Sequence, residues 1–367
     1  MLKTIFFIIV ILHGLIHLLG FVKAFDYADI SALTKEISKP VGFLWLMAAL
    51  LMVIFAFLFI FKKDIWVYFA IVAMVLSQAL ILFSWQDARF GSIANIMILI
   101  VSIVGVFHLN FKNTYKNEVK TAMVQTIDMK DTILTKEDIS QLPELVQKYL
   151  HYTGCIGKPK VNNFRLDFSG KIRSYEAKEW MELTSEQYNF IPEPTRFFFL
   201  DATKKQLPLA GFHSFKNGTA YMDIRLLSMF KVQYMEGKEM NISETVTFFN
   251  DFCCLAPAAL IDDRIQWLET EGNKVKASFT FNGVTVSAWL YFNEKGELVN
   301  FVSEDRYSAS EDGTSTRLKW STPLRDYKMI NGYKLASYAE AIYTYPEGDF
   351  TYATFTLKNI HVNIVCK

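Results

Sequence analysis

Two hydrophobic periods divide the chain. Apolar residues run almost unbroken through four stretches, Thr4–Val22, Val41–Phe61, Ile65–Trp85 and Ser92–Leu109, each 18 to 21 residues long. At about 1.5 Å of rise per residue, each is long enough as a helix to cross the roughly 30 Å hydrocarbon layer of a bilayer. Lys62-Lys63-Asp64 and Asp87-Ala88-Arg89 are the only charged gaps between the last three, and such short gaps force antiparallel neighbours. The pattern therefore predicts a four-helix transmembrane bundle over residues 1–110. Pro40 opens the second span, where a missing N–H costs nothing. Trp45, Trp66, Tyr68 and Trp85 stand near span ends, where amphipathic rings favour the interface. The first run has the outline of a signal peptide, with Lys3 before it and Val22-Lys23-Ala24 after it. Its apolar part is too long for that, and three more spans follow. Between the first two spans, Ile30, Leu33 and Ile37 recur at helical spacing and predict a short amphipathic helix lying on the surface.

Residues 111–134 are polar and read as a stalk, and residues 135–367 as a β-rich domain. Thr135-x-x-Asp138 is a variant capping box ahead of Leu142, Leu145, Val146, Tyr149 and Leu150, which trace one helical face as far as Gly154. The period then becomes two. Val275, Ala277, Phe279 and Phe281 alternate with polar residues, and Asn282-Gly283 turns the chain into Val284, Val286, Ala288, Leu290 and Phe292. Asn331-Gly332 joins a second such pair. Counting upstream segments from Phe164 onward, including one from Lys178 to Phe190, eleven or twelve strands are expected. No strand–helix–strand rhythm appears, so the sheet should be antiparallel. One helix interrupts it, with Asn241-x-x-Glu244 as its capping box, Phe248, Phe249, Phe252 and Leu255 on its apolar face, and a restart at Pro257. The fold class expected is thus the bundle followed by an antiparallel α+β domain, a curved sheet or half-barrel with one or two packed helices.

Composition sharpens the division. Residues 1–110 carry 12 charged side chains and residues 111–367 carry 63, about 11% against about 25%. Aromatic residues are 15% of the whole, which argues against disorder, and the net charge of +1 implies no nucleic-acid partner. The even number of spans leaves both ends on one side. Lys3, Lys62, Lys63, Lys112, Lys116 and Lys120 against Lys23, Lys35, Lys39 and Arg89 favour a cytoplasmic second half. Cys155, Cys253, Cys254 and Cys366 follow no metal or disulfide spacing, which fits a reducing compartment.

Polar residues within the spans are the first candidates for chemistry. His13-x-x-x-His17 places two imidazoles on one helical face, a spacing that suits a metal ion or the edge of a haem. The alternative is hydrogen bonding to Gln78, Ser77, Asn95 or Ser102 of neighbouring spans. Gly14 and Gly20 would allow close helix approach. In the second half, carboxylates gather as Asp251 with Asp262, Asp263 and Arg264, as Glu304-Asp305-Arg306, and as Glu347 with Asp349. In an alternating strand Glu304 and Arg306 share a face and Asp305 takes the other. Asp262-Asp263 equally suits the exit from the helix, and the other groups equally suit solvated ion pairs. The sequence holds no G-x-S-x-G, phosphate loop, H-E-x-x-H or EF-hand.

Several motifs together resemble an uncharacterised bacterial membrane-protein family. They are Leu142-Pro143-x-x-Val146-x-x-Tyr149-Leu150, Phe248-Phe249-Asn250-Asp251 through Leu255-Ala256-Pro257-Ala258, Asp262-x-Arg264-Ile265-x-Trp267, Ser303-Glu304-Asp305-Arg306-Tyr307 and Tyr345-Pro346-x-Gly348-Asp349-Phe350. His13-Gly14-Leu15-Ile16-His17-Leu18-Leu19-Gly20-Phe21 is similar to the leading four-span module of some members. The family brings no activity with it. A weaker likeness is to the periplasmic lipoprotein-carrier half-barrels, whose antiparallel strands curl round a lipid cavity closed by helices. This chain departs from them in having four spans and no lipobox, and their location conflicts with the lysine count.

The function expected is a membrane-anchored binding protein of a bacterial cytoplasmic membrane, multi-pass, with the bilayer as one partner. It would hold a lipid or other apolar ligand in a cavity of the β-rich domain. Phe198, Phe249, Phe252, Trp267 and Trp289 are the expected ligand contacts, and no cofactor is required. Two alternatives stand beside it: a haem or metal protein using His13 and His17, and a hydrolase using Glu304, Asp305, Arg306 or Asp251.

Overall fold

The computed structural model describes residues 2–129, 132–175, 179–309 and 314–365. Lys178, where one strand was expected to begin, and Cys366 lie outside them. The chain forms two compact units, divided between Phe111 and Lys112.

The first unit contains four helices, α1 (Leu2–Ala24), α2 (Lys39–Ile60), α3 (Trp66–Phe83) and the short α4 (Trp85–Ala88), and the start of α5 (Gly91–Met123). Four of these five, α4 being the exception, are long and apolar enough to cross a membrane. Gly14 and Gly20 let α1 approach α2 closely: a Cβ on Gly20 would sit 2.3 Å from the Trp45 ring, and one on Gly14 2.9 Å from Met52. The surface helix expected around Ile30 and Leu33 does not form, and residues 25–38 are turns and irregular chain. Polar bonds take the segment instead. Asp87 accepts from the Thr34 N–H at 2.7 Å and hydroxyl at 2.9 Å, and the Lys35 ammonium donates to the Phe83 carbonyl at 3.0 Å.

The stretch read as a stalk is helical as far as Met123. Tyr115, Val119, Ala122 and Met123 of this part of α5 are buried within the second unit. Spacings of four and three put the first three on one face, a helical stripe hidden among the lysines.

The second unit is built on one antiparallel sheet of thirteen strands among the described residues. The first six are β1 (Asn163–Ile172), β2 (Met181–Phe190), β3 (Thr195–Lys204), β4 (Leu207–Lys216), β5 (Thr219–Leu226) and β6 (Phe230–Glu236). The remainder are β7 (Ile265–Glu271), β8 (Lys274–Phe281), β9 (Val284–Phe292), β10 (Leu298–Ala309), β11 (Ser315–Ile330), β12 (Tyr333–Tyr345) and β13 (Gly348–Val362). The order is β6-β5-β4-β3-β2-β1-β13-β12-β11-β10-β9-β8-β7: two meanders joined where β1 meets β13, with β6 and β7 left as open edges. Tight turns set the registers. Both residues of Asn282-Gly283 and of Asn331-Gly332 have positive φ, which an Asn-Gly pair adopts at little cost.

Helix α6 (Glu144–Thr153) ends at Gly154, whose φ is +68°. Its start falls later than the Thr135 capping box. The reciprocal bonds of Thr135 and Asp138 do form, but they close a turn, and Pro143 is the residue that opens the helix.

Helix α7 (Lys238–Leu255), followed by a 3₁₀ turn at Pro257–Ile261, carries the chain from edge strand β6 to edge strand β7. It touches β4, β5 and β6 of one meander and β9, β10 and β12 of the other. In a flat sheet β5 and β10 would lie eight strand spacings apart, about 38 Å, whereas an 18-residue helix is about 27 Å long. The sheet must therefore curl round the helix. One side of α7 (Phe248, Phe249 and Phe252) fills the main apolar core, where the Phe249 ring lies 5.7 Å from Phe279 and 5.5 Å from Phe301. Helix α6 closes that core, with the Tyr149 hydroxyl donating to the Cys253 carbonyl at 2.8 Å.

The seam between the meanders depends on Gly170, which pairs with Phe355 across β1 and β13. A Cβ there would lie 1.9 Å from the Thr354 carbonyl oxygen. Gly170→Ala is expected to cost about 1–3 kcal/mol or more, by overpacking against backbone that cannot give way. Thermal unfolding of the full chain in nanodiscs checks this, and an unchanged midpoint would contradict the close approach.

Candidate functional site

Between the sheet and the polar side of α7 lies a cavity of about 730 Å³. Its position follows from the register. Gln187, Phe198, His213 and Met222 are direct cross-strand partners on β2, β3, β4 and β5, and all four line the cavity. From α7 come Met240, Ser243, Glu244, Thr247, Asn250, Asp251 and Cys254, a stripe recurring every three or four residues. The opposite meander contributes Arg306, Trp320, Tyr343, Phe355 and Leu357.

The polar stripe of α7 is held by Arg196 on β3. Its Nε donates to Asp251 Oδ2 at 2.8 Å, one terminal nitrogen to Glu244 Oε2 at 3.1 Å and the other to Gln187 Oε1 at 3.0 Å. Asp251 Oδ2 also accepts from Gln187 at 2.7 Å and from Asn189 at 2.9 Å. Arg196, Glu244 and Asp251 are 7%, 1% and 5% exposed, so each charge depends on these partners. The Arg196 guanidinium stands 5.1 Å over the Phe198 ring.

These environments separate the acids. Burial opposes ionisation of Glu244, but the Arg196 charge, the His213 hydrogen bond and the Arg306 charge outweigh it and hold its pKa at about 2. Burial pushes Asp251 above the ordinary aspartate value against the pull of Arg196 and Asn189. Burial lowers His213, against the opposite pull of Glu244.

Arg306 is held differently. Its Nε donates to the Tyr343 hydroxyl at 2.9 Å, and Nη1 donates to the Ser243 carbonyl at 3.2 Å and to the Thr247 hydroxyl. The Trp320 ring lies 4.6 Å from the guanidinium carbon. Burial works against its charge, while the Tyr343, Tyr352 and Glu244 side chains favour it and leave its pKa raised.

A family model, described as a family of unknown function (DUF6544), matches residues 132–355, which include every cavity residue named above except Leu357. The chain belongs to this family. No curated protein is found to match it. Solved structures similar to the chain include a LolA superfamily protein from Nitrosomonas europaea, 10% identical, with a TM-score of 0.33, covering 60% of this chain and 94% of that one. Another is a DUF1329 family protein from Desulfovibrio piger, 9% identical, with a TM-score of 0.35, covering 64% of this chain and 96% of that one. Neither the family's description nor likeness at this level names a ligand, so the site has to be read from its own side chains.

Of the five aromatic residues expected to contact ligand, Phe198 lines the cavity. Phe249 and Phe252 are fully buried on the core side of α7. Trp267 lies on edge strand β7 against that core, and Trp289 on β9 lies under the Lys274 ammonium at 3.9 Å. Aromatic abundance cannot tell the two sides of a helix apart.

The Glu304-Asp305-Arg306 group does not converge. The pairing of β10 with β11 shifts between Ser303 and Arg306, a bulge that breaks the alternation expected there. Arg306 lines the cavity, Glu304 is exposed, and Asp305 bonds the Ser287 N–H at 2.7 Å and pairs with Arg317. A hydrolase needing all three in one cleft is not what these strands build. Asp262 pairs with Arg264, which reaches the Ile191 and Pro192 carbonyls. Asp349 accepts from Thr344 at 2.6 Å and Glu347 from Tyr175 at 3.4 Å.

In the first unit, His13 Nε2 lies 3.1 Å from both Ser77 Oγ and Asn95 Oδ1, and His17 Nδ1 lies 2.8 Å from the His13 carbonyl. The His13 bonds are the interhelical ones weighed against metal or haem ligation, whereas the His17 bond stays within α1 and His17 Nε2 is buried without a partner among the described residues. No group of three or more His, Cys, Asp or Glu arranged to hold a metal occurs among the described residues.

Arg196, Gln187 and Asn189 belong to none of the sequence motifs, and His213 has no partner nucleophile in sequence. The signal available was Arg196, a charge directly before the apolar run Phe197-Phe198-Phe199-Leu200. Glu244 was read as a capping residue. The helix starts at Lys238, so Glu244 is in its body and its carboxylate is free to bind Arg196.

Removing Arg196 leaves two buried carboxylates uncompensated, so Arg196→Met is expected to cost about 3–5 kcal/mol in chemical denaturation. Glu244 adds a pH signature. Its folded pKa of about 2 lies below the ordinary 4.5, so its contribution is present above about pH 4.5 and is lost as pH falls towards 2. Glu244→Gln should flatten the stability profile across that window, and an unaltered slope would remove Glu244 as its source.

Proposed function

We propose that the second unit binds a ligand with an apolar chain, of the lipid class, and that the four apolar helices hold it at a bacterial cytoplasmic membrane. The observation that carries this reading is the cavity itself. Elsewhere in the unit aromatic side chains fill the interior, yet about 730 Å³ stays open beside them. That volume is within the range of small-molecule sites. Its apolar walls come from Phe168, Phe198, Leu200, Leu209, Ile224 and Phe355. The polar stripe of α7 opposite them is largely bonded within the protein, which suits a ligand that needs few polar partners along its length.

The membrane part of the reading rests on helix length and apolarity. Exposed Leu12, Leu50, Val72 and Ile100 are in keeping with lipid contact, since each would otherwise face water.

Native mass spectrometry of the full chain tests the proposal. Adducts of alkyl-chain mass are expected to survive activation that strips bulk detergent. Ala339 lines the cavity, so Ala339→Trp should fill part of it and lower adduct occupancy by about tenfold, a loss of roughly 1.4 kcal/mol. A bare wild-type protein, or adducts equally abundant in Ala339→Trp, would overturn the reading.

A further inference from the structure

The two arginines of the cavity are not equivalent. Arg196 spends its donors on Asp251, Glu244 and Gln187, so its charge is answered inside the protein. Arg306 makes its hydrogen bonds through Nε and Nη1 alone, to a phenol, a backbone carbonyl and a hydroxyl, all neutral. No carboxylate lies within 4 Å of its guanidinium among the described residues. Glu244, whose field reaches it, is bonded to Arg196 and faces His213 at 4.0 Å.

This leaves Nη2 of Arg306 with no hydrogen-bond partner among the described residues. It is also absent from the nitrogens and oxygens that are both sealed off and unpartnered, so it keeps accessible surface on a residue that lines the cavity. A guanidinium nitrogen is a charged donor, and its bond to a carboxylate or phosphate oxygen is among the stronger hydrogen bonds. Here Nε and Nη1 are occupied and Nη2 is not, on a residue that lines the space the ligand would fill. Arg306 is half-buried, and partial shielding from water strengthens such a contact. Trp320 stacks by the guanidinium at 4.6 Å, and Phe355 and Leu357 line the same cavity. A charged donor thus adjoins apolar wall, the arrangement an amphiphile requires and a purely apolar ligand does not.

We propose that the cavity takes an amphiphile with an anionic head group, a carboxylate or a phosphate, bonded by Nη2 of Arg306, with its alkyl chain against Phe198, Leu200, Phe355 and Leu357. This rests on the apolar-ligand reading above and specifies its head-group chemistry. Arg196 takes no part in the contact and keeps α7 in place.

The test uses the full chain in phosphatidylcholine nanodiscs, with empty nanodiscs as the blank. The probes are decanoate, decyl phosphate, decanol and decyltrimethylammonium, each followed by titration calorimetry. At least one anion is expected to bind about tenfold or more tighter than decanol, the gain of a charge-assisted hydrogen bond. The cation should bind more weakly than decanol. Preference for decanoate over decyl phosphate identifies a fatty-acid-type head, and the reverse a phosphorylated lipid. Arg306→Met should bring the anion to within about threefold of decanol, and Arg306→Lys, which keeps the charge but not all the bonds to Tyr343 and Thr247, should keep part of the preference. Should Arg306→Met fail to fold by circular dichroism, the wild-type ratio and the lysine variant decide. Equal binding of decanol and both anions to the wild type overturns the head-group assignment and leaves the apolar-ligand reading standing. So does a preference that persists in Arg306→Met. Failure of all four probes to bind overturns both.

Discussion

The order of the strands puts the chain under one constraint from which the rest of the second unit follows. Strands β6 and β7 are consecutive in sequence and lie at opposite edges of a thirteen-stranded sheet. Whatever joins them must cross the face of that sheet. The connection is α7, and a helix laid across a sheet that curls round it is covered on every side. Thirteen of its eighteen residues are buried, including Glu244, Asn250 and Asp251. Buried carboxylates are tolerable only when answered, and Arg196 supplies the answer, reaching both from a single strand. The Arg196 contact is thus what allows a helix with a charged stripe to occupy the interior.

That stripe also decides where the cavity lies. The other side of α7 is packed with phenylalanine against β8 and β10, and close-packed rings leave no room. On the polar side, side chains meet by directed bonds at fixed distances, and they hold the helix off the sheet without filling the space between. The ion pairs act as struts as well as neutralising one another. Cavity and core are consequences of one helix having two unlike faces.

Strand β3 shows the same economy on the sheet. Phe198 points to the cavity, while Phe199 lies 5.3 Å from Tyr115 of α5, and Phe197 packs 6.1 Å from Phe212. A strand with both faces covered reads as a continuous apolar run, which is what Phe197-Phe198-Phe199-Leu200 is. The part of α5 that covers one face carries its apolar residues only every three or four positions. In sequence it therefore looks like a solvated linker.

What the sequence by itself determined was local and periodic. Four spans' worth of apolar helix, the change to period two, the Asn-Gly hairpins and the stop at Gly154 all depend on neighbours within a few residues, and all are present in the structure. The candidate site was only partly legible for the same reason. Asp251, Arg306 and Phe198 stood out as residue types, but nothing local tells that Phe249 and Phe252 face the core while Asp251, two residues after one and one before the other, faces the cavity. Nor does alternation foresee the bulge at Glu304 and Asp305, which separates residues that are adjacent in sequence. Tertiary structure alone brought Arg196 to Glu244 and Asp251, 48 and 55 positions away. It also left Nη2 of Arg306 without a hydrogen bond among the described residues. Those outcomes depend on which strand pairs with which across the whole sheet, and pairing at that range is set by the burial of entire faces, not by any short run of residues.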